Sequence, residues 1–434
     1  MSFPHYAEYK DSGIDWLGEV PGHWGVKRVR FVARLNPSKG ETAALARNEE
    51  ISFLPMEAIG DDGVLDLERS RPIGDVETGY TYFREGDVTI AKITPCFENG
   101  KGAVMSGLIG GIGFGTTELI VARPLPDETT SVFLHWLFVS APFRKLGEAA
   151  MYGAGGQKRV PDDFVRDFAM GFPSVSEQSA IAAFLDRQTA KIDALVVEQE
   201  KLIALLAEKR QAVISHAVTK GLNSAAAMKD SGVEWLGEVP EHWEIGAIKR
   251  FFSILDSRRV PLSAEERGGR SGEFPYYGAS GIIDWIDEFI FDEDLILVSE
   301  DGANLLSRTT PIAFVASGQY WVNNHAHILK PLDDVVTYWA ERIESIDLTP
   351  FITGSAQPKL TIDALANLPI AVPPSTEERQ LIAAYIIKET ARFDSLTAEA
   401  RRAIALLKEH RSALISAAVT GKIDVRRLVK AEAA

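Results

Sequence analysis

The sequence predicts two mixed α/β (α+β) domains, each followed by a long helix, with the two helices pairing as an antiparallel coiled coil inside a pseudo-two-fold duplicated frame. Three observations carry this. KDSGIDWLGEVPGHW at Lys10 returns as KDSGVEWLGEVPEHW at Lys229, 219 positions later. A helical stretch from Ser174 returns from Ser375, without gaps, at an offset of 201. The regions between these repeats differ in sequence and in length, so a duplicated frame has exchanged its contents.

The order of elements is the same in both halves. Residues 1–175 hold the first domain, with the phrase at 10–24, and 176–223 hold the first long helix. Residues 224–375 hold the second domain, with the phrase at 229–243, and 376–434 the second helix and a tail. In the first domain GDVTIAKI (Gly86), TELIVARPL (Thr117) and FAMGFP (Phe168) read as strands, and VFLHWLFVSAPFRKLGEAA (Val132) as one amphipathic helix. In the second, DLILVSE (Asp294), PIAFVAS (Pro311), HAHILKP (His325) and NLPIAVPP (Asn367) read as strands, with VVTYWAERI (Val335) as a helix.

Ser174 with Glu177, and Ser375 with Glu378, have capping-box spacing at the helix starts. Beyond them Ile181, Leu185, Ile192, Leu195, Leu202, Leu206 and Val213 follow a heptad seam, matched by Ile382, Ile386, Phe393, Leu396, Ala403, Leu407 and Leu414. About 40 residues make a rod of roughly 60 Å. One such rod would leave its seam in water, which favours pairing; packing of each helix on its own domain is the alternative. Gln188, Gln199, Lys209, Glu389 and His410 interrupt the seam, either as register-fixing polar positions or as solvated flanks.

Composition is that of a globular chain, 46% hydrophobic and 25% charged over 434 residues. The start lacks the basic and apolar stretches of a signal peptide, and VFLHWLFVSAPF is too short to span a bilayer, so the expectation is a cytoplasmic protein. A single cysteine, Cys96, excludes an intrachain disulfide. The net charge of −15 counts against nucleic acid as a partner on average, but it is unevenly spread. The domains carry −6 and −12, the first helical segment is balanced, and the last segment carries +3.

Catalytic signatures are missing. Gly100 and Lys101 lack the upstream glycine of a phosphate loop, the position being Pro95. Pro373 and Pro374 follow Val372 rather than the Asn or Asp of an amino-methyltransferase motif, and Gly113-Phe114-Gly115 is too isolated for a cofactor loop. Glu8 and Lys10 have no preceding acidic partner for a nuclease site. His325 and His327 share a strand face but have no third ligand type nearby, which favours a core or recognition role over a metal.

The repeated W-L-G-E-V-P-x-H-W, the two long helices and the divergent regions resemble the specificity (S) subunit of bacterial type I restriction-modification systems, over essentially the whole chain. AKITPCFENGKGA (Ala91) and GAGGQKRV (Gly153) look like one subtype of target recognition domain; FPYYGASGIIDWID (Phe274), EDGANLL (Glu300), WVNNHAHIL (Trp321) and GSAQPKLT (Gly354) look like another. The resemblance implies a non-catalytic reader of double-stranded DNA with one domain per half of an asymmetric bipartite target. The helices would set the spacer, and two methyltransferase (M) subunits carrying S-adenosylmethionine, with motor-nuclease (R) subunits where present, would be its partners. No cofactor is expected in this chain. The alternative is a duplicated protein-interaction scaffold without DNA specificity, which the acidic balance favours.

Base reading needs amide, hydroxyl and cationic groups on loops, with aromatics for stacking. In the first domain these are Lys92, Thr94, Asn99, Lys101, Gln157, Lys158 and Arg159, among glycines (Gly100, Gly102, Gly153, Gly155, Gly156) that allow close backbone approach. In the second they are Tyr276, Tyr277, Ser280, Asn304, Arg308, Asn323, Asn324, Gln357 and Lys359. Trp16, Trp24, Trp235, Trp243, Arg210 and Arg411 are the partner-binding candidates, the tryptophans having a packing role in the frame as the competing assignment.

Overall fold

A computed structural model describes residues 3–154, 156–354, 357–426 and 428. The chain divides into two compact units, Met1–Gln199 with Arg402–Ala434, and Glu200–Arg401. Each long helix, α1 (Val175–Lys220) and α2 (Thr376–Val419), is therefore shared between units rather than standing apart from them.

In the first unit the central sheet runs Ala33–Leu35, Leu119–Pro124, Val88–Ala91, Gly102–Val104, all neighbours antiparallel. Its middle strands, VTIA and LIVARP, are almost continuously apolar because both faces are covered. Val88, Ile90, Ile120 and Ala122 face the cluster containing Phe133, Leu134 and Leu137, while Ala91, Leu119 and Val121 face Leu54, Ala58 and Phe83. That second face belongs to another four-stranded sheet, Ser70–Pro72, Glu50–Leu54, Ile112–Gly115, Thr81–Arg84.

The second unit repeats the plan. Phe252–Ile254, Ala326–Pro331, Leu295–Ser299 and Ala313–Ala316 form its central sheet, and Gly281–Ile286, Ser271–Gly278, Gln319–Val322 and Phe291–Asp292 its second. Ile296, Val298 and Leu329 point to Tyr338 and Trp339, and Leu295, Leu297 and Ile328 to Phe291 and Tyr320.

The expected strands are all present, but the helix read from Val132 is two helices, Ser131–Val139 and Ala141–Ala149. Ser140 is extended (φ −61°, ψ 143°), and Pro142, which lacks an N–H, suits the first turn of the second helix.

The helix starts depart from the expected capping box in an informative way. Ser174 Oγ and Ser375 Oγ accept the N–H groups of Glu177 (3.4 Å) and Glu378 (3.1 Å), as a cap should. The glutamate carboxylates, however, turn to the repeated phrase. Glu177 accepts from Trp24 Nε1 at 3.2 Å and from the Tyr6 hydroxyl at 2.8 Å, and meets His23 Nε2 at 2.8 Å. Glu378 accepts from Trp243 Nε1 at 3.1 Å and meets His242 Nε2 at 2.9 Å. Burial, then the Glu177 carboxylate, push the Tyr6 phenol far above its usual range, so it remains a donor.

Each phrase also receives the end of the other helix. Beyond α2, Lys422 Nζ donates to Glu19 O at 2.9 Å, and Gly421 adopts φ +73° where a Cβ would lie 2.4 Å from Pro21 Cδ. Only glycine fits that close, left-handed approach. At the last residue of α1, Lys220 Nζ likewise donates to Glu238 O.

The first half of α1 packs with the last part of α2 in one unit, where Ile181, Leu185 and Ile192 share a cluster with Leu414, Ile415 and Ala418. In the other unit Ile214, Ala217 and Val218 join Ile382, Ala383 and Ile386. Start meets end in both, which is the expected antiparallel pairing. The seam is narrower than expected. Ile181, Leu185, Ile192 and Leu206, with Ile382, Ile386, Phe393 and Leu414, are buried and Ala403 and Leu407 half-buried, but Leu195 is 52% exposed, Leu202 42% and Leu396 38%. Toward the end of α1 the buried positions shift to Ile214, Ala217 and Val218, with Val213 half-buried. Lys209 and His410 are exposed flanks; Gln188, Gln199 and Glu389 are half-buried.

Glu177→Ala should lower unfolding stability by about 2–3 kcal/mol, because it strands the buried indole and phenol donors of Trp24 and Tyr6. Glu378→Ala should cost less, since its carboxylate is 30% exposed against 6% for Glu177. Urea unfolding of the two variants checks the order.

Candidate functional site

In each unit a central strand ends beside a glycine hairpin. Val88–Ala91 runs into Lys92, whose N–H donates to Glu118 O at 2.8 Å and whose carbonyl accepts from Val160 N at 2.9 Å. Tyr152 and Arg159 exchange backbone hydrogen bonds of 3.1 and 2.9 Å, closing a hairpin over Gln157 and Lys158, and Thr94 N donates to Lys158 O at 3.0 Å. Lys92, Thr94, Gln157, Lys158 and Arg159 thus come together, as the sequence reading grouped them.

Gln157 and Lys158 are exposed, whereas Arg159 forks onto Glu118 at 2.9 and 2.6 Å. Those hydrogen bonds hold the Glu118 carboxyl below its ordinary value and raise the guanidinium. The Thr94 hydroxyl donates to Glu98 at 2.9 Å. Asn99 is exposed on the adjoining turn, but the Lys101 ammonium is turned inward onto Met56 O at 2.9 Å. Gly153, at φ +128°, leaves no room for a Cβ, which would lie 2.7 Å from Gln157 O; Gly155 lies outside the described residues.

The second unit has the same hairpin. Thr353 and Lys359 exchange backbone hydrogen bonds of 2.9 and 2.8 Å, Gly354 takes φ +85°, and Lys359 Nζ reaches Glu300 at 3.0 Å. Gln157 and Gln357 both sit two positions before the hairpin's cation. The shared pattern, glycine, a glutamine three or four positions on, then a cation two further, was present in the sequence but hidden by the one-residue difference in loop length.

Of the second-domain candidates two are buried, and two more, half-buried Asn304 and exposed Arg308, spend their polar groups within the fold. Tyr276 is buried, its hydroxyl accepting from Leu262 N at 2.9 Å. Asn323 is buried and accepts from His325 N at 2.8 Å. Asn304 closes its own loop on Thr309 and Thr310 at 3.0 Å. Arg308 caps the helix Val336–Glu344, donating to Ile346 O at 2.9 Å and pairing with Glu344 at 3.0 Å. Ser280, Asn324, Gln357 and Lys359 are exposed, and Tyr277 is half-buried against Tyr320.

Sequence reasoning missed the charged network beneath this hairpin. His327 is buried, with Nδ1 2.7 Å from Asp256 and Nε2 2.9 Å from Leu360 O. Asp256, Glu300 and His327 offer metal-ligand atoms within 4.8 Å of one another, but Arg259 occupies the position a cation would take, 2.5 Å from Glu300 and 3.3 Å from Asp256. Burial raises both carboxyls, yet His327 at Asp256, and Arg259 with Lys359 at Glu300, outweigh it and hold both below their ordinary range. His325 is not part of this cluster; it is exposed and pairs with Asp301 at 2.8 Å.

Among the partner-binding candidates, Trp24 and Trp243 are core residues with no face to offer. Trp16 is half-buried on Phe168, and Trp235 is 38% exposed beside Phe351. Arg411 pairs with Asp193 at 2.9 Å, and Arg210 is half-buried near Glu341. Among the described residues no helix is long and apolar enough to cross a membrane.

Residues 240–404 match the family model for the type I restriction modification DNA specificity domain. The chain is 39% identical over 248 residues to the EcoEI specificity subunit of Escherichia coli, covering 57% of this chain and 39% of that protein. It is 37% identical over 228 residues to the E. coli EcoAI specificity subunit, covering 52% and 37%. These matches span about two fifths of the relatives' own length. A chain of a solved type I R-M system superposes with a TM-score of 0.67 at 18% identity, covering 92% of this chain and 98% of that one. The HsdS subunit from Thermoanaerobacter tengcongensis gives 0.57 at 17%, covering 93% and 98%. The resemblance read from the sequence is borne out, and the fold is that of HsdS chains.

Arg259→Met should destabilise the second unit by about 3 kcal/mol by leaving two carboxylates facing each other. Because both carboxyls are depressed, their contribution is complete above about pH 5 and is lost as pH falls through their lowered values. Thermal melts between pH 3 and 7 should show this acid loss in the parent and a flatter profile in the variant.

Proposed function

We propose, for a chain similar to type I specificity subunits, that it is the DNA-reading subunit of a restriction-modification complex and has no chemistry of its own. Each domain reads one half of an asymmetric bipartite target, and the frame holds two methyltransferase subunits that supply S-adenosylmethionine and the adenine methylation. The observation that carries this is the repetition of the glutamate-to-phrase lock in both units around domains whose exposed loops differ. Identical frames suit two copies of one partner, whereas unlike loops suit two unlike half-sites.

The readers supported by their placement are Lys92, Gln157 and Lys158 in the first domain and Ser280, Asn324, Gln357 and Lys359 in the second, with Asn99 at the margin. Their amide and cationic groups are those that address base edges and phosphates. Helices of 46 and 44 residues are each over about 60 Å long, more than the roughly 34–36 Å between half-sites one helical turn apart. Motor-nuclease subunits would join through the same assembly. The net charge of −15 favours a protein scaffold instead. The enclosing methyltransferase subunits answer this objection if they provide most of the phosphate attraction.

Adenine methylation mapped in cells expressing the chain with its neighbouring methyltransferase subunit tests the proposal. One gapped asymmetric motif is expected, and exchanging residues 25–173 should change one half only. Absence of any motif, with an assembled and active methyltransferase, would turn the assignment to the scaffold.

A further inference from the structure

Two open hollows adjoin on the first unit, and Lys92 lines both. One, of about 360 Å³, lies among Lys39, Thr78, Tyr80, Thr117 and Lys92. The other, of about 330 Å³, lies among Lys92, Tyr152 and Arg159. Each has the volume of a small-ligand site, roughly 300 Å³ or more.

The charge at the divide is the notable feature. The backbone of Lys92 is clamped on both sides by hydrogen bonds to Glu118 and Val160. Among the described residues no carboxylate lies within 4.0 Å of its ammonium. The neighbouring cations are occupied: Arg159 forks onto Glu118, and Lys39 donates to the main-chain carbonyl of Glu77. The carboxylates on the rims have their own partners. Asp162 accepts from Asn36 at 2.9 Å, Asp163 pairs with Arg166 at 2.9 Å, and Glu77 faces Arg47 at 3.7 Å. What remains is one half-buried cation on a clamped backbone, in no salt bridge of its own, whose charge is felt by the Glu118 carboxylate that Arg159 already engages.

An aromatic ring stands in each hollow. Tyr80 is 37% exposed and braced edge-on by Phe53 at 5.1 Å, and Tyr152 is 64% exposed at the foot of the hairpin. Exposed rings on either side of a cation grip a single strand by taking its bases; on a duplex, whose bases stay stacked, they can pack on the sugars while the cation takes the phosphate between them.

We infer that this double hollow is a subsite for one DNA strand, with a phosphodiester on Lys92 and its two flanking nucleosides against Tyr80 and Tyr152. The inference rests on the DNA-reading proposal and adds Tyr80 and Tyr152 to the contact surface.

The test uses the full chain assembled with its methyltransferase subunits and a duplex carrying the motif found by methylation mapping. Affinity is measured across a salt series. Lys92→Gln is expected to weaken binding about 5- to 10-fold and to reduce the log–log salt slope by about one. Tyr152→Leu, at an exposed position, should weaken binding about fivefold or more with the slope unchanged. If both variants match the parent while the parent stays motif-selective, the subsite is wrong and DNA reading stands. A parent without motif selectivity overturns both. Thymidine 5′-monophosphate bound at Lys92 and not displaced by the duplex would also overturn the subsite, assigning it to free nucleotides.

Discussion

The structure depends on a carboxylate at the start of each long helix. Glu177 and Glu378 reach from the first turn of α1 and α2 to the His–Trp pair that closes the repeated phrase, across 153 and 135 residues of chain. A carboxylate offers two oxygens, and an indole N–H with an adjacent imidazole supplies two groups at the right spacing. The tryptophans are buried, so each lock has apolar area as well as hydrogen bonds. Because the same phrase also receives the end of the other helix, through Lys422 in one unit and Lys220 in the other, every part of the frame bears on it.

Around that constant the two units solve equivalent problems with different residues. One position after each glutamate, Gln178 is buried and spends its amide on Thr129, Thr130, Glu128 and Pro173. The aligned Arg379 instead pairs with Asp333 at 2.8 Å and stacks over Trp339. Both tie the helix to its own domain. An amide and a guanidinium both present planar arrays of hydrogen-bonding groups, so the frame tolerates the exchange while the domain cores diverge.

The hairpins follow the same logic at the site. Arg159 and Lys359 are each held by a carboxylate, Glu118 or Glu300, contributed from a neighbouring strand end. The carboxylates fix the direction of each cation without adding net positive charge to an acidic chain. The second unit adds a buried layer, His327 and Arg259 between Asp256 and Glu300, that the first does not use. The two surfaces consequently differ in support as well as in the side chains they show.

By itself the sequence determined the duplication, the order of domains and helices, the central strands and the first-domain loop group. Those features are written in local periodicity and in repeats, which need no knowledge of what lies far along the chain. Tertiary structure alone decided the rest. Whether the polar groups of Tyr276, Asn304, Arg308 and Asn323 are free or already taken depends on Leu262, Thr310, Glu344 and His325, partners set by folding rather than by spacing. The glutamates looked like cap residues because Ser-x-x-Glu spacing is local, while their actual partners, His23 with Trp24 and His242 with Trp243, lie more than a hundred residues away. Three seam positions, Leu195, Leu202 and Leu396, face water for a related reason: the pattern marks which positions are apolar, but only the packed pair decides which of them a single partner helix can cover.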